Sequence, residues 1–137
     1  MYNIPMPDTP QNQKNILLVD DDTFLLDMYS IKFKNNNWNV RTCDNAEAAL
    51  KVLRDGYVPD AILVDVVMPG MDGIEFIGTV RKENFAAKAA LVLLTNQGLP
   101  DDIVKAKKLN VDGYIIKATT IPSDVLRETE KILAAKK

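Results

Sequence analysis

Short apolar runs alternate along the chain with stretches whose apolar residues recur at helical spacing. The apolar runs are typical of buried strands and predict strands at residues 15–19, 38–43, 59–67, 89–95 and 112–117. The stretches after each run predict helices at residues 22–35, 44–56, about 74–83, 99–110 and 122–136. Alternating strands and helices with apolar strands favour an α/β fold, in which helices cover both faces of a parallel sheet.

The first and last predicted helices each carry an apolar stripe. In the first helix the stripe consists of Phe24, Leu25, Met28, Tyr29 and Ile31. In the last helix it consists of Val125, Leu126, Ile132 and Leu133. Both patterns predict helices that pack against the sheet through one side.

Length and composition fit one globular domain. The chain has 137 residues, of which 47% are hydrophobic and 26% charged, and its net charge is −2. Residues 1–13 contain three prolines and several polar residues, which predicts a flexible N-terminal tail before a domain at residues 14–136. This charge balance does not indicate a nucleic-acid partner.

The start of the chain lacks the basic and apolar regions of a secretory signal, and no stretch of about 20 apolar residues is present. We therefore expect no membrane partner. The only cysteine is Cys43, which we interpret as a packing residue. One cysteine and no secretory signal predict a cytoplasmic location.

The absence of histidine removes several kinds of site. The chain contains no histidine, which excludes Ser-His-Asp and Cys-His catalysis and histidine-ligated zinc. A bound metal would therefore need oxygen ligands, which favours Mg²⁺, Mn²⁺ or Ca²⁺.

Polar and charged residues stand at or just after the carboxyl ends of four of the five predicted strands. They are Asp20, Asp21 and Asp22 at the first strand, Asp65 at the third, Thr95 and Asn96 at the fourth, and Lys117 at the fifth. Ligands of open parallel sheets bind beyond the carboxyl ends of the strands, where these residues would meet. Carboxylates there can chelate a divalent cation, and an aspartate can act as a nucleophile toward phosphorus.

Four motifs together resemble the receiver domain of two-component response regulators. They are ILLVDDD (16–22), ILVDVVMPGMDG (62–73), VLLT (92–95) and GYIIK (113–117). The resemblance covers about residues 14–136. It implies a flavodoxin-like, doubly wound fold with five parallel strands in the order 2-1-3-4-5 and five helices.

The resemblance implies a phosphoacceptor and a metal site. Asp65 matches the aspartate that accepts the phosphoryl group. Asp20 and Asp21 match the acidic pair that holds Mg²⁺, with Asp21 the more direct ligand and Mn²⁺ an alternative ion. Asp65 and the backbone carbonyl of Val67 complete the implied ligand set.

Three further residues match functional roles in the receiver family. Thr95 matches the switch hydroxyl that moves toward the phosphoryl group, and Lys117 matches the lysine that pairs with a phosphoryl oxygen. Tyr114 matches the aromatic residue that swings inward when the threonine moves. The chain would then be a signalling phosphoacceptor that assists its own phosphorylation and dephosphorylation. It would not be a classical enzyme.

The implied partners are proteins. The phosphoryl donor would be a sensor histidine kinase or a histidine phosphotransfer protein. The output would be a downstream protein bound through the face of the fourth helix, fifth strand and fifth helix. A homodimer through the side of the fourth helix is common in such folds and stays open here.

The sequence departs from the family pattern at three positions. Ala118 follows Lys117 where the family usually has proline, often after a cis bond, and a cis bond before alanine would cost about 2.5–4 kcal/mol. We expect either a trans bond with a shifted loop or a strained cis bond. The apolar side chain of Val67 cannot orient an attacking water, which predicts slow self-dephosphorylation. Asn96 is bulkier than the small residue often found after the threonine, and it would narrow access to the site. Asp22 is expected to cap the first helix.

Two other functions compete with this interpretation. One is a receiver-like module that binds partners without phosphorylation. The other is a haloacid-dehalogenase-like phosphatase with Asp20 as nucleophile, Asp22 as second acid, and Asp101 and Asp102 as the distal acidic pair, although Thr23 lies one place early for that motif. The aspartate that becomes phosphorylated distinguishes them.

Overall fold

Strands and helices alternate along the whole described chain. A computed structural model describes residues 13–96, 100–117 and 120–136. The elements are β1 (Lys14–Val19), α1 (Thr23–Lys34), β2 (Trp38–Cys43), α2 (Ala46–Arg54), β3 (Ala61–Asp65), α3 (Gly73–Lys82), β4 (Ala90–Thr95), α4 (Pro100–Lys108), β5 (Gly113–Ile116) and α5 (Pro122–Ala135). The strands form one parallel sheet in the order β2-β1-β3-β4-β5. This confirms the predicted flavodoxin-like fold.

The strand β3 is shorter than the predicted 59–67. It ends at Asp65 because the chain turns there: the Val66 carbonyl accepts a hydrogen bond from the N–H of Gly73, the first residue of α3, at 2.8 Å. The carboxylate of Asp65 therefore lies at the end of the strand.

Each face of the sheet has its own apolar core. Alternate residues of β1 point to opposite faces, so that Ile16 and Leu18 join one core while Leu17 and Val19 join the other. Helices α1 and α5 cover the first face, and α2, α3 and α4 cover the second. This two-sided packing explains why the central strands are apolar throughout.

The predicted apolar stripe of α1 is wrong in detail. The helix buries Leu26, Tyr29 and Phe33, whereas Phe24 is 71% exposed and Ile31 is 60% exposed. Met28 is also exposed. The helix carries two apolar stripes and only one can face the sheet, which the spacing alone does not decide. In α5 the predicted stripe is inside: two of its residues are buried and two are partly buried against the same core.

Some predictions concern residues outside the described ranges. They are the flexible tail at residues 1–13, of which residue 13 alone is described, and the geometry of the Lys117–Ala118 bond. No helix among the described residues is long and apolar enough to span a bilayer. The cytoplasmic location stays a prediction from the sequence.

Candidate functional site

Three carboxylates meet at the carboxyl edge of the sheet. Asp20 and Asp21 follow β1, and Asp65 ends β3, the strand that pairs with β1. One oxygen of each carboxylate lies within 4.8 Å of the others. Asp20 and Asp65 are buried, while Asp21 is exposed. Three like charges at this spacing repel one another, and a set of oxygen ligands suits a hard divalent cation such as Mg²⁺.

Lys117 lies against two of these acids. Its ammonium donates to Asp20 Oδ2 at 2.9 Å, and it lies 3.5 Å from Asp65 Oδ2. Burial lowers the pKa of Lys117, but the hydrogen bond and the charge of Asp20, together with the charge of Asp65, raise it further, so the net shift is upward. The lysine therefore stays protonated in the pocket.

Asp20 has both carboxylate oxygens in hydrogen bonds. Oδ1 accepts the N–H of Asp22 at 2.9 Å, and Oδ2 accepts from Lys117. Asp22 in turn caps α1, since its Oδ1 accepts the N–H of Leu25 at 3.1 Å. The predicted helix-capping role of Asp22 is confirmed. Asp20 thus holds Lys117 through a hydrogen bond and also lies close to the other two acids.

Asp65 carries a perturbed pKa. Burial and then the negative charge of Asp20 raise it from 3.8 to about 6, while Lys117 and a hydrogen bond from the Val67 N–H oppose the rise. A cation bound to the cluster would favour the ionised form and lower this pKa. The carboxylate is therefore poised to respond to a metal ion.

The start of α3 packs closely against the end of β3. Asp72 caps α3 in a reciprocal capping box: the Glu75 N–H donates to Asp72 Oδ1 at 2.8 Å, and the Asp72 N–H donates to Glu75 Oε1 at 3.1 Å. A Cβ atom on Gly73 would overlap the carbonyl oxygen of Asp65. Only glycine fits beside the strand end.

The remaining predicted residues belong to β4, β5 and the segments that follow β3 and β4. Thr95 ends β4 and is buried, in register with Ile116 of β5. Tyr114, on β5, is 39% exposed and lines a small cavity that Thr95 also lines. The Val67 side chain is 66% exposed at the rim, and Asn96 is exposed. The fold thus brings every predicted site residue to the same edge of the sheet.

Sequence reasoning missed one residue of this region. Tyr29 was predicted only as part of a helical stripe. Burial raises its pKa, Lys117 lowers it, and Asp20 and Asp65 raise it again, so the charges of the pocket act on its hydroxyl. A phenol at a buried position of an otherwise apolar helix face is the signal that could have found it.

A family model described as the response regulator receiver domain matches residues 16–128. The chain belongs to this family. Receiver domains are signalling domains and not classical enzymes. The phosphatase alternative would need Asp20 as an accessible nucleophile, whereas Asp20 is 1% exposed with both oxygens engaged.

Two curated receiver proteins show the range of lengths. The chemotaxis protein CheY of Halobacterium salinarum is 32% identical over 110 residues, which cover 80% of this chain and 89% of that protein. The probable transcriptional regulatory protein TcrX of Mycobacterium tuberculosis is 30% identical over 112 residues, which cover 82% of this chain and 47% of TcrX. The chain thus spans most of one relative and about half of the other.

Solved receiver structures share the fold. Vibrio cholerae CheY4 superposes with a TM-score of 0.80 at 25% identity, covering 88% of this chain and 98% of that one. A CheY-like receiver from Methanospirillum hungatei gives a TM-score of 0.82 at 24% identity, covering 91% and 97%. The second likeness supports the fold alone.

Proposed function

We propose that this receiver domain is a phosphorylation-activated switch that accepts a phosphoryl group on Asp65. The donor is a phosphohistidine of a sensor kinase or of a histidine phosphotransfer protein. The observation that carries the proposal is the position of Asp65, in a cluster with two other aspartates and 3.5 Å from the Lys117 ammonium.

A divalent cation fits the cluster. Asp21, Asp65 and the backbone carbonyl of Val67 would hold Mg²⁺ or Mn²⁺, with Asp20 as the third acid of the site. When bound, the ion supplies charge neutralisation around the transferring phosphoryl group. Asp21 suits a direct ligand because it is exposed, whereas Asp20 is already engaged by Lys117 and Asp22.

The transfer itself needs an ionised Asp65. One oxygen of this carboxylate attacks phosphorus, the P–N bond of the phosphohistidine breaks, and the electron pair returns to the imidazole nitrogen. The product is an acyl phosphate. Lys117 pairs with the phosphoryl charge, and its proximity to both buried acids keeps it in place for that role.

The switch uses Thr95 and Tyr114. The Thr95 hydroxyl donates to a phosphoryl oxygen, and Tyr114 then moves inward. The shared cavity and the partial exposure of the Tyr114 ring support this step. The face of α4, β5 and α5 changes its affinity for a downstream protein as a result, and a homodimer through α4 is a second outcome of the same change.

Intact-protein mass spectrometry after incubation with acetyl phosphate and Mg²⁺ tests the proposal. Wild type should gain one phosphoryl mass, Asp65→Asn should not, and EDTA should abolish the gain. Asp60→Asn is the matched control, because Asp60 lies at the opposite edge and accepts the Asn15 N–H at 2.7 Å. That variant should behave as wild type.

Other outcomes would contradict the proposal. A wild type that takes up no phosphoryl group from acetyl phosphate or from small phosphoamidates favours the phosphorylation-independent module. An adduct that survives in Asp65→Asn and maps to Asp20 favours the phosphatase.

A further inference from the structure

The Tyr29 side chain lies beneath the phosphotransfer pocket. It belongs to α1, which begins directly after the acidic cluster, and it is 4% exposed. Its ring shares an apolar core with Leu18, Leu94 and Ile115, which stand near the carboxyl ends of β1, β4 and β5. The ring is therefore packed between the helix and the three strands that deliver Asp20, Thr95 and Lys117.

The position of Tyr29 on α1 directs its side chain toward these strand ends. Side chains on a helix lean toward its N-terminus, and α1 has its N-terminus at the pocket. The electrostatic environment agrees: after burial, the charge of Lys117 is the largest influence on the pKa of Tyr29, followed by the charges of Asp20 and Asp65. Lys117 in turn responds to Tyr29.

This hydroxyl has no protein partner within the described residues. It takes part in none of their hydrogen bonds. A nearly buried phenol that makes no hydrogen bond to a described residue thus lies under the electrostatic influence of Lys117.

Lys117 has more N–H donors than the two acids that it contacts. An ammonium has three N–H donors. One meets Asp20 at 2.9 Å and another faces Asp65 at 3.5 Å. When Asp65 carries a phosphoryl group, a phosphoryl oxygen takes the N–H that faces Asp65, and the third N–H can still be donated to another acceptor. A neutral phenol oxygen can accept that N–H without competing for the positive charge.

We propose that Tyr29 is a positioning residue for Lys117: its phenol oxygen accepts a hydrogen bond from the Lys117 ammonium when the pocket is phosphorylated. The inference rests on the proposed function of Asp65 and Lys117. Tyr29 touches neither the phosphoryl group nor the cation in this role. Its effect on phosphotransfer passes through the lysine.

Phosphorylation rates of Tyr29→Phe test the inference. The change removes one oxygen and keeps the ring. We expect phosphorylation of Asp65 by acetyl phosphate to slow about fivefold, the effect of one neutral hydrogen bond. Tyr57→Phe is the matched control. It removes the same oxygen from a partly buried tyrosine whose hydroxyl donates to the Ile16 carbonyl at 3.4 Å. It should phosphorylate at the wild-type rate.

A double-mutant cycle separates positioning from a structural role. In a Lys117→Met background, Tyr29→Phe should have no further effect, whereas a structural role would slow both backgrounds equally. NMR of the Lys117 ammonium gives a second readout. With beryllium fluoride as a phosphoryl mimic and Mg²⁺, hydrogen exchange of this ammonium should be faster in Tyr29→Phe than in wild type or Tyr57→Phe.

The outcomes distinguish the two proposals. A wild-type adduct on Asp65 with equal rates and equal ammonium exchange in Tyr29→Phe overturns the role of Tyr29 and leaves the function intact. A wild type without any adduct overturns the function, and the role of Tyr29 falls with it.

Discussion

Aspartates stand at both edges of the sheet, and the two sets differ in what their carboxylates contact. At the amino edge, Asp60 accepts the N–H of Asn15 at 2.7 Å, and Asp112 accepts the N–H of Leu91 at 2.8 Å. At the carboxyl edge, Asp65 instead faces other acids within 4.8 Å. The first pair completes the backbone hydrogen bonding of strand starts, whereas the second set keeps an excess of negative charge.

A lysine accompanies the aspartates at each edge. Lys136 lies 3.2 Å from Asp112, with its side chain 26% exposed. Lys117 lies 2.9 Å from Asp20, with its side chain 8% exposed. Lys136 pairs with one acid and is partly exposed to water, whereas Lys117 pairs with two acids and is shielded from water. An acid at a strand end is therefore a candidate for chemistry when other acids lie close enough to it to leave an excess of negative charge.

Removing each lysine should give the largest contrast. Lys117→Met keeps the apolar stem but removes the charge next to Asp65, so phosphorylation by acetyl phosphate should slow about 100-fold or more. Lys136→Met should phosphorylate at the wild-type rate. Time courses of the phosphoryl mass gain measure both. Equal rates for the two variants would remove Lys117 from the chemistry.

Removing an aspartate should change stability in opposite directions at the two edges. Asp112→Ala leaves the Leu91 N–H and Lys136 without their partner, and should lower the free energy of unfolding by about 2–3 kcal/mol. Asp65→Asn removes a repelling charge and should raise it by about 1–2 kcal/mol in metal-free buffer. Urea unfolding measures both. A higher free energy of unfolding in Asp112→Ala would contradict the difference between the two edges of the sheet.

The pH dependence of stability should carry the signature of Asp65. Its pKa is raised from 3.8 to about 6, so its favourable contribution is present below about pH 4 and is lost as the pH rises through about 6. In EDTA, wild type should lose about 2 kcal/mol relative to Asp65→Asn across this window. Urea unfolding of both proteins from pH 4 to 7.5 tests this, and parallel curves would contradict the perturbed pKa.

Substitution of Val67, the apolar residue at the rim of the site, should give the smallest effect of the four predictions. The Val67 side chain cannot hydrogen-bond a water molecule, so the acyl phosphate on Asp65 should be long-lived. Val67→Asn should raise its hydrolysis rate by about tenfold or less, through an oriented water. The decay of the phosphoryl mass after removal of acetyl phosphate measures it. The exposed Val58, at a loop of the opposite edge, provides the control Val58→Asn, which should decay as wild type does.

Much of the fold was predictable because apolar periodicity reports burial directly. The strand that ends at Asp65 and the helix that Asp22 caps were both found in this way. The buried side of α1 was not, since two apolar stripes compete on that helix. The strand order came from the resemblance to receivers and not from spacing.

The site was predictable as a set of residues but not as a set of contacts. Strand ends place Asp20 and Lys117 at one edge, yet only the fold shows that Asp20 divides its two oxygens between Lys117 and a backbone N–H. The burial of Tyr29 near the strand ends depends on helix orientation, which no local pattern encodes. The roles of Asp65, Thr95 and Tyr114 stay predictions.

Gly73 shows how a residue without chemistry can be as restricted as the phosphoacceptor. A Cβ there would overlap the Asp65 carbonyl and crowd the backbone of Val66, and neither group can move without shifting the end of the strand. In a library of all single substitutions, position 73 should accept glycine alone. A map of mutational tolerance would then mark a residue without a side chain, at the start of α3, as essential for reasons of space and not of reactivity.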